Sequence, residues 1–189
     1  MEPHQLNDLF GNIDLYLLDQ ILKNRFSKNG RILDAGCGEG RNVHYFLKQN
    51  LPVYGVDINK DSIRMCRMVV KGLNSEYVEN FIESNLEKLP FPDGFFNSVI
   101  CCSVLHFAQD QQKFKSMVQE LDRVTCEGGF LFIRMVDQPV VGIPFWLNKS
   151  MTHPWEEMGY SLLEPLKSVI QNEQSLNVMV LEKGHKKRA

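Results

Sequence analysis

Three glycines at alternate positions, Gly36, Gly38 and Gly40, follow a short apolar run in ILDAGCGEGRN, residues 32–42. Glycine takes a positive φ without strain and lets another group approach the backbone closely. A turn built this way between a strand and a helix exposes backbone N–H groups. One glycine normally suffices for a structural strand-to-helix turn, so the spacing points to a ligand loop. The dinucleotide fingerprint GxGxxG does not fit, because its third glycine would fall at Arg41 or Val43. The pattern is GxGxG, preceded by Asp34. The next apolar run, VYGVD, ends in Asp57. A carboxylate there can accept from both hydroxyls of a ribose. Asp57 also precedes INKDS, a helix start, and a capping role accounts for it equally well. Beside the glycine loop, it favours an adenosine-type ligand.

These residues need a scaffold that sets them at one edge, and the periodicity supplies it. NIDLYLLDQILKNRF predicts a helix with Leu15, Leu18 and Leu22 on one face and Asn12 as cap, broken at Asn29-Gly30. RILDA reads as a buried strand, and GRNVHYFLKQN as a helix burying Val43, Phe46 and Leu47. LPVYGVD is the next strand. KDSIRMCRMVVKGL is the next helix, capped near Lys60 or Asp61. A strand lies within SEYVENFIES, and FFNSVICCSVLHF is a fully buried one. DQQKFKSMVQELDRV is an amphipathic helix through Phe114, Met117, Leu121 and Val124. Glu127-Gly128-Gly129 turns into the strand FLFIRMV. LEPLKSVIQ and SLNVMVLEK end the chain as an antiparallel pair. Repeated strand–helix–strand units mean a parallel sheet covered on both faces, with ligands beyond the carboxyl ends of its strands.

Composition narrows the class. The 189 residues carry 43% hydrophobic and 23% charged side chains, ordinary for a soluble globular chain. The net charge of −2 gives no whole-chain electrostatic case for nucleic acid or an anionic membrane. The terminal cluster Lys186-Lys187-Arg188 reads as a solvated end. No secretory leader or bilayer-length apolar run is visible. The five cysteines are odd in number and form no CxxC pair, so neither a disulfide framework nor a zinc site is suggested. A cytoplasmic location is the expectation.

LDAGCGEGRN, VYGVD, NLEKLPFPDGFFNSVI and SVLHF, in this order and spacing between residue 31 and about 135, resemble successive motifs of class I S-adenosylmethionine-dependent methyltransferases. NIDLYLLDQIL and LLEPLKSV resemble a group of small bacterial members of methyltransferase types 11 and 25, some labelled tellurite-resistance-like. The resemblance implies an α/β, Rossmann-like doubly wound sheet in three αβα layers. The sheet would be mostly parallel and seven-stranded, ending in an antiparallel hairpin. It implies one domain over 1–189, with a helical segment 1–29, a cofactor core 30–136 and an acceptor-side segment 137–189. It implies S-adenosyl-L-methionine as cofactor. Gly36, Cys37, Gly38 and Gly40 would pass beside its methionine part, with Asn42 at the loop's exit. Asp34 would reach its ammonium, Asp57 its ribose and Ile58 its adenine face. Leu86 would offer a backbone N–H to the ring. Asn85 stands where the family often has aspartate; its side-chain oxygen can still accept from the adenine amino group. Ser103 would lie near the methionine portion, and Tyr16 could cover the cofactor or fill the core. Asn97 stands in place of a common aspartate and reads as structural.

Methyl transfer needs positioning and water exclusion more than covalent help, with a base only for a protonated nucleophile. His106, at the exit of the fourth strand, is the candidate base or orienting group, or else a packing histidine between Leu105 and Phe107. Arg134, near the end of the fifth strand, either binds an anionic substrate or forms a structural ion pair. Arg41-Asn42 could contact a carboxylate or cap the turn. Phe145, Trp146, His153 and Trp155 could form an apolar lid or cover the sheet. The expected acceptor is a small molecule, with no nucleic acid and no membrane, and the protein a monomer or homodimer. A cofactor-binding but silent subunit and an NAD-dependent oxidoreductase are the rival readings.

Overall fold

In a computed structural model, which describes residues 3–138, 140–147, 153–171 and 174–185, strands and helices alternate through most of the chain. The elements are α1 (Pro3–Phe10), α2 (Leu15–Leu22), β1 (Ile32–Ala35), α3 (His44–Lys48), β2 (Val53–Asp57) and α4 (Lys60–Leu73). After a 3-10 turn come β3 (Phe81–Glu83), β4 (Phe96–Cys102), a second 3-10 turn (Leu105–Phe107), α5 (Gln111–Val124) and β5 (Thr125–Val136). The chain continues with α6 (His153–Glu157), β6 (Tyr160–Leu162), β7 (Lys167–Gln171) and β8 (Gln174–Lys183). The basic cluster 186–188 lies outside the described residues.

The strand order is β3-β2-β1-β4-β5-β8-β6, with β7 also on β8. The pairs β1–β2, β1–β4, β2–β3 and β4–β5 are parallel, and β8 joins antiparallel to β5. β6 pairs with the end of β8 at 181–183 and β7 with its start at 174–178. Two short strands thus share one edge position, so the sheet is seven positions wide and holds eight strands. The order reverses between β1 and β4, which opens a crevice at their carboxyl ends where a βα loop can receive a ligand.

Alternation along the central strands feeds two apolar layers. Ile32, Ile100, Phe130 and Phe132 pack with α2, α3 and α4 through Leu17, Ile21, Phe46, Leu47, Ile63 and Val70. Leu33, Ala35, Val99, Leu131 and Ile133 pack with α5 through Phe114, Met117, Leu121 and Val124. Burial on both faces explains why these strands read as unbroken apolar runs. Burying one such leucine contributes roughly 1.5–3 kcal/mol.

Four local expectations change. Asp14, not Asn12, caps α2, its carboxylate accepting from the N–H groups of Tyr16 and Leu17. The buried stripe of α2 is Leu17, Gln20 and Ile21, while Leu15 and Leu22 are 75% and 74% exposed. Both sets obey helical spacing, and the structure buries the one through Leu17. α4 is capped by Asn59, whose side-chain oxygen accepts from the N–H groups of Asp61 and Ser62. Glu127-Gly128-Gly129 belongs to β5, at a register break between the Phe96–Thr125 and Ser98–Phe130 pairs.

Candidate cofactor and acceptor site

The glycine loop leaves β1 and is fastened to β2. Gly36 and Cys37 donate their N–H groups to the Val56 carbonyl at 2.8 and 2.9 Å. Gly36 has φ +85°, and a Cβ there would sit 2.2 Å from Val104 Cγ2. Gly38 has φ +52° with open space where its Cβ would be. Its N–H donates to Asp57 Oδ2 at 2.9 Å. Asp57 Oδ1 accepts from Asn59 N–H at 2.9 Å. Asp57 therefore closes both the loop and the turn into α4, and each oxygen keeps a further acceptor site. Gly40 packs against the Cys66 thiol. The Cys37 thiol is buried and donates to the Gly38 carbonyl at 3.7 Å, its ionisation suppressed by its contact with Cys66 and by burial.

A cavity of about 190 Å³ opens beside this loop. Gly36, Asp57 and Ile58 line one side, and Asn85, Leu86 and Val104 another. Ile58 is 70% exposed, an unusual aliphatic surface for so ordered a turn. The Asn85 side-chain oxygen accepts from Glu87 N–H at 2.9 Å, holding the turn that presents Leu86. Beneath the loop lies Asp34, 1% exposed, neither carboxylate oxygen having a hydrogen-bond partner among the described residues. Burial pushes its pKa up to about 7; the charge of Asp57 adds to this and that of Arg41 opposes it. A buried carboxylate without a partner is costly unless a cation or donor joins it.

The neighbouring ends of β4 and β5 are occupied differently. Ser103, directly after β4, has φ +62° and donates its N–H to the Arg134 carbonyl at 2.8 Å. A serine in that conformation is strained and persists because its surroundings hold it. Arg134 is buried and its Nη1 donates to Asp14 Oδ2. Arg41 Nη2 lies 3.7 Å from the same oxygen, and the Cys102 thiol also donates to it at 3.7 Å. Asn42 is buried, its side-chain oxygen accepting from Asp14 N–H at 3.1 Å. Asp14 thus ties the start of α2 to Arg41 and Asn42 after β1, to Cys102 at the end of β4 and to Arg134 within β5. His106 is 3% exposed and its Nδ1 has no partner among the described residues. Burial, aided by the charge of Arg134, pushes its pKa down to about 4. Tyr16 is half-buried against the α2–α3 core. Phe145 stacks on Phe114 at 4.6 Å between ring centroids, and Trp155 is buried edge-on to Tyr160. Both join the layer over the α5 face. Trp146 is half-buried, and His153 is exposed beside Glu156 and Glu157.

A methyltransferase domain model matches residues 33–133, more than half of the chain. The chain belongs to this methyltransferase family. It is 31% identical over 120 residues to a fatty-acid O-methyltransferase of Mycolicibacterium smegmatis, covering 61% of this chain and 40% of that one. It is 30% identical over 102 residues to a tRNA (carboxymethyluridine(34)-5-O)-methyltransferase of Arabidopsis thaliana, covering 54% of this chain and 23% of the relative. The chain thus spans less than half the length of these curated relatives. Its fold superposes on a crystal structure of a SAM-dependent methyltransferase from Methanosarcina mazei with TM-score 0.70 and 18% identity, over 88% of this chain and 98% of the other.

S-adenosylmethionine is the cofactor of this family. In this methyltransferase chain the glycine loop, Asp34, Asp57, Ile58, Asn85 and Leu86 converge at the carboxyl ends of β1–β3. Asp14 is the residue that sequence reasoning missed. An aspartate immediately before LYLLDQIL is a recognisable cap signal. Its partner Arg134 is 120 residues away, and nothing local announces that pairing. Among the described residues no helix is long and apolar enough to cross a membrane.

Proposed function

We propose that this chain is an S-adenosylmethionine-dependent methyltransferase acting on a small-molecule acceptor. The observation that carries the reading is the buried Asp34 carboxylate, without a hydrogen-bond partner among the described residues, beneath a glycine loop that opens onto a cavity. Asp34 would meet the cofactor's ammonium, Asp57 would accept from the ribose hydroxyls, and Ile58 would lie against the adenine. The Leu86 N–H would donate to the ring, with Asn85 holding the turn. Ser103 would border the methionine portion. Bound there, the cofactor supplies a methyl group on a sulfonium, activated for in-line displacement.

The residues around that point orient and exclude water. His106 is neutral at physiological pH, so it can accept or donate one hydrogen bond, but a group with a pKa near 4 is a poor proton sink at neutrality. We assign it to orienting the acceptor rather than to strong base catalysis. This suits a nucleophile that arrives already deprotonated. Arg134 spends its charge on Asp14, so its contribution is to hold the N-terminal segment over the β4–β5 end. A small acceptor agrees with the near-neutral chain and with the aromatic cover of the α5 face.

Calorimetric titration with S-adenosylhomocysteine tests the cofactor reading, and a metabolite screen with methyl-labelled cofactor tests turnover. Binding with label transfer to a small molecule is expected. A folded chain that gives no heat with the nucleoside at saturation would overturn it. Binding without transfer to any acceptor would favour the silent-subunit reading.

A further inference from the structure

Two cavities away from the glycine loop run end to end along α4. One, of about 640 Å³, is lined by Lys60, Ile63, Arg64, Arg67, Met68 and Lys71. The other, of about 650 Å³, continues from Lys71 to Asn74 and Glu76. The four cations recur at i, i+4, i+7 and i+11, which sets them within about 60° of the helix circumference. Among the described residues Lys60 and Lys71 have no ion pair, while Arg64 meets Asp61 at 3.7 Å and Arg67 meets Glu79 at 3.6 Å. Asp61 and Glu83 also line the first cavity, so cations outnumber acids there on a chain whose net charge is −2. Ile63 is buried beneath this row, and Met68 beside it is 65% exposed.

We propose that this face of α4 docks an acidic amphipathic helix of a partner protein. The 14 residues of α4 span about 21 Å, far more than a single phosphate or carboxylate fills. A helix laid along the groove presents carboxylates at the same repeat as the cations, and its apolar stripe meets Met68 and Val78. Methionine's flexible thioether adapts to such a contact. A nucleic-acid strand would leave Met68 and Val78 uncovered, and Asp61 and Glu83 would oppose its unbroken charge. A helix of mixed charge can set a basic residue against each acid. The chain's own end, Lys186-Lys187-Arg188, is basic and does not supply the complement. Lys60 follows Asp57 and Ile58, which line the cavity beside the glycine loop, so the docked helix would sit next to that cavity without entering it.

The test is fluorescence anisotropy with four probes. The first is a cross-linked helical peptide of about 18 residues with Glu at i, i+4, i+7 and i+11 beside a leucine stripe. The others are the same peptide with Lys in place of Glu, a single-stranded RNA, and vesicles of phosphatidylglycerol. Wild type should bind the Glu peptide ahead of the RNA and the vesicles, and salt should weaken it. Arg64→Glu combined with Lys71→Glu should bind the Glu peptide about tenfold or more weakly and gain affinity for the Lys peptide. Met68→Ser should weaken the Glu peptide and leave RNA affinity unchanged. The Arg64 side chain is 73% exposed, so the reversed protein is expected to fold; if it does not, Arg64→Gln carries the measurement. Wild type that binds none of the probes, or prefers RNA or vesicles, overturns the proposal, as does a folded reversal that changes nothing. Self-association of wild type that the reversal abolishes gives this face to a second copy and overturns it too.

Discussion

The β1–β3 end of the crevice and the β4–β5 end hold buried charges in opposite conditions. At the first, the Asp34 carboxyl has no hydrogen-bond partner among the described residues and is pushed toward neutrality. At the second, Asp14 collects a guanidinium, two helix N–H groups and a thiol. An open acid is a place for something to arrive. A satisfied one is part of the scaffold. The difference separates ligand contact from positioning at two sites that both read, by residue type, as chemistry.

Breaking the satisfied end should do the most damage to the fold. Asp14→Ala leaves Arg134 buried without its counter-ion and removes the cap of α2. Removing one partner of a buried pair costs about 3–5 kcal/mol. We expect a loss of that order in urea-unfolding free energy, with nucleoside affinity in the remaining folded protein changed far less. A stability change under 1 kcal/mol would show that the pair is not a fastener.

The open end should respond with the opposite sign. Asp34 titrates at about 7 in the fold against 3.8 for an ordinary aspartate. Between those values the native chain holds a proton that the unfolded chain has released, so stability falls as pH rises from about 4 to about 7. Asp34→Asn should remove that slope, leave the unliganded protein more stable at pH 8 by a few kcal/mol, and weaken S-adenosylhomocysteine binding sharply. Wild type should release protons on binding near pH 6.5, read from calorimetry in buffers of different ionisation heat. Equal proton counts for wild type and variant would place the cation elsewhere.

These two ends were not equally visible in the chain itself. Gly36, Gly38, Gly40, Asp34 and Asp57 lie within 24 residues, and a positive-φ turn, a strand end and a helix start each have local signatures. The central strands were legible because burial on both faces writes itself as apolar runs. The β4–β5 end depends on residues brought together only by the sheet, so Arg134 could be read as ion pair or anion site with nothing local to decide. The split edge of β6 and β7 escaped for a related reason: a three-residue strand carries too little period to register. Asn59 was missed as a cap because Asp61 and Lys60 look equally eligible when only the boundary region is known.

His106 sharpens the contrast at a smaller scale. Its pKa of about 4 in the fold lies below the ordinary 6.5. The unfolded chain therefore binds the proton first as pH drops, and stability is lost between about 6.5 and 4. His106→Asn should flatten this part of the pH–stability curve by an amount on the order of 2–3 kcal/mol. It should lower turnover while leaving nucleoside affinity near wild type. Unchanged turnover would remove His106 from the acceptor side.

The smallest effect expected is at Leu22, and it tests whether the Asp14 ties really set the rotation of α2. Leu22 is 74% exposed while Leu17 is fully buried, although both sit on stripes of valid helical period. Truncating a buried leucine costs about 2–5 kcal/mol, and truncating one already in water costs within about 0.5 kcal/mol. Leu17→Ala should therefore unfold at clearly lower urea and Leu22→Ala should be nearly silent. In the background of Asp14→Ala the gap between them should narrow, because a helix freed from Arg134 and Asn42 can roll toward the leucine stripe that sequence spacing alone would bury. A gap that stays constant would mean that Leu17 and Ile21 hold the helix by packing alone, and that the polar cluster at the β4–β5 end anchors its end without steering its face.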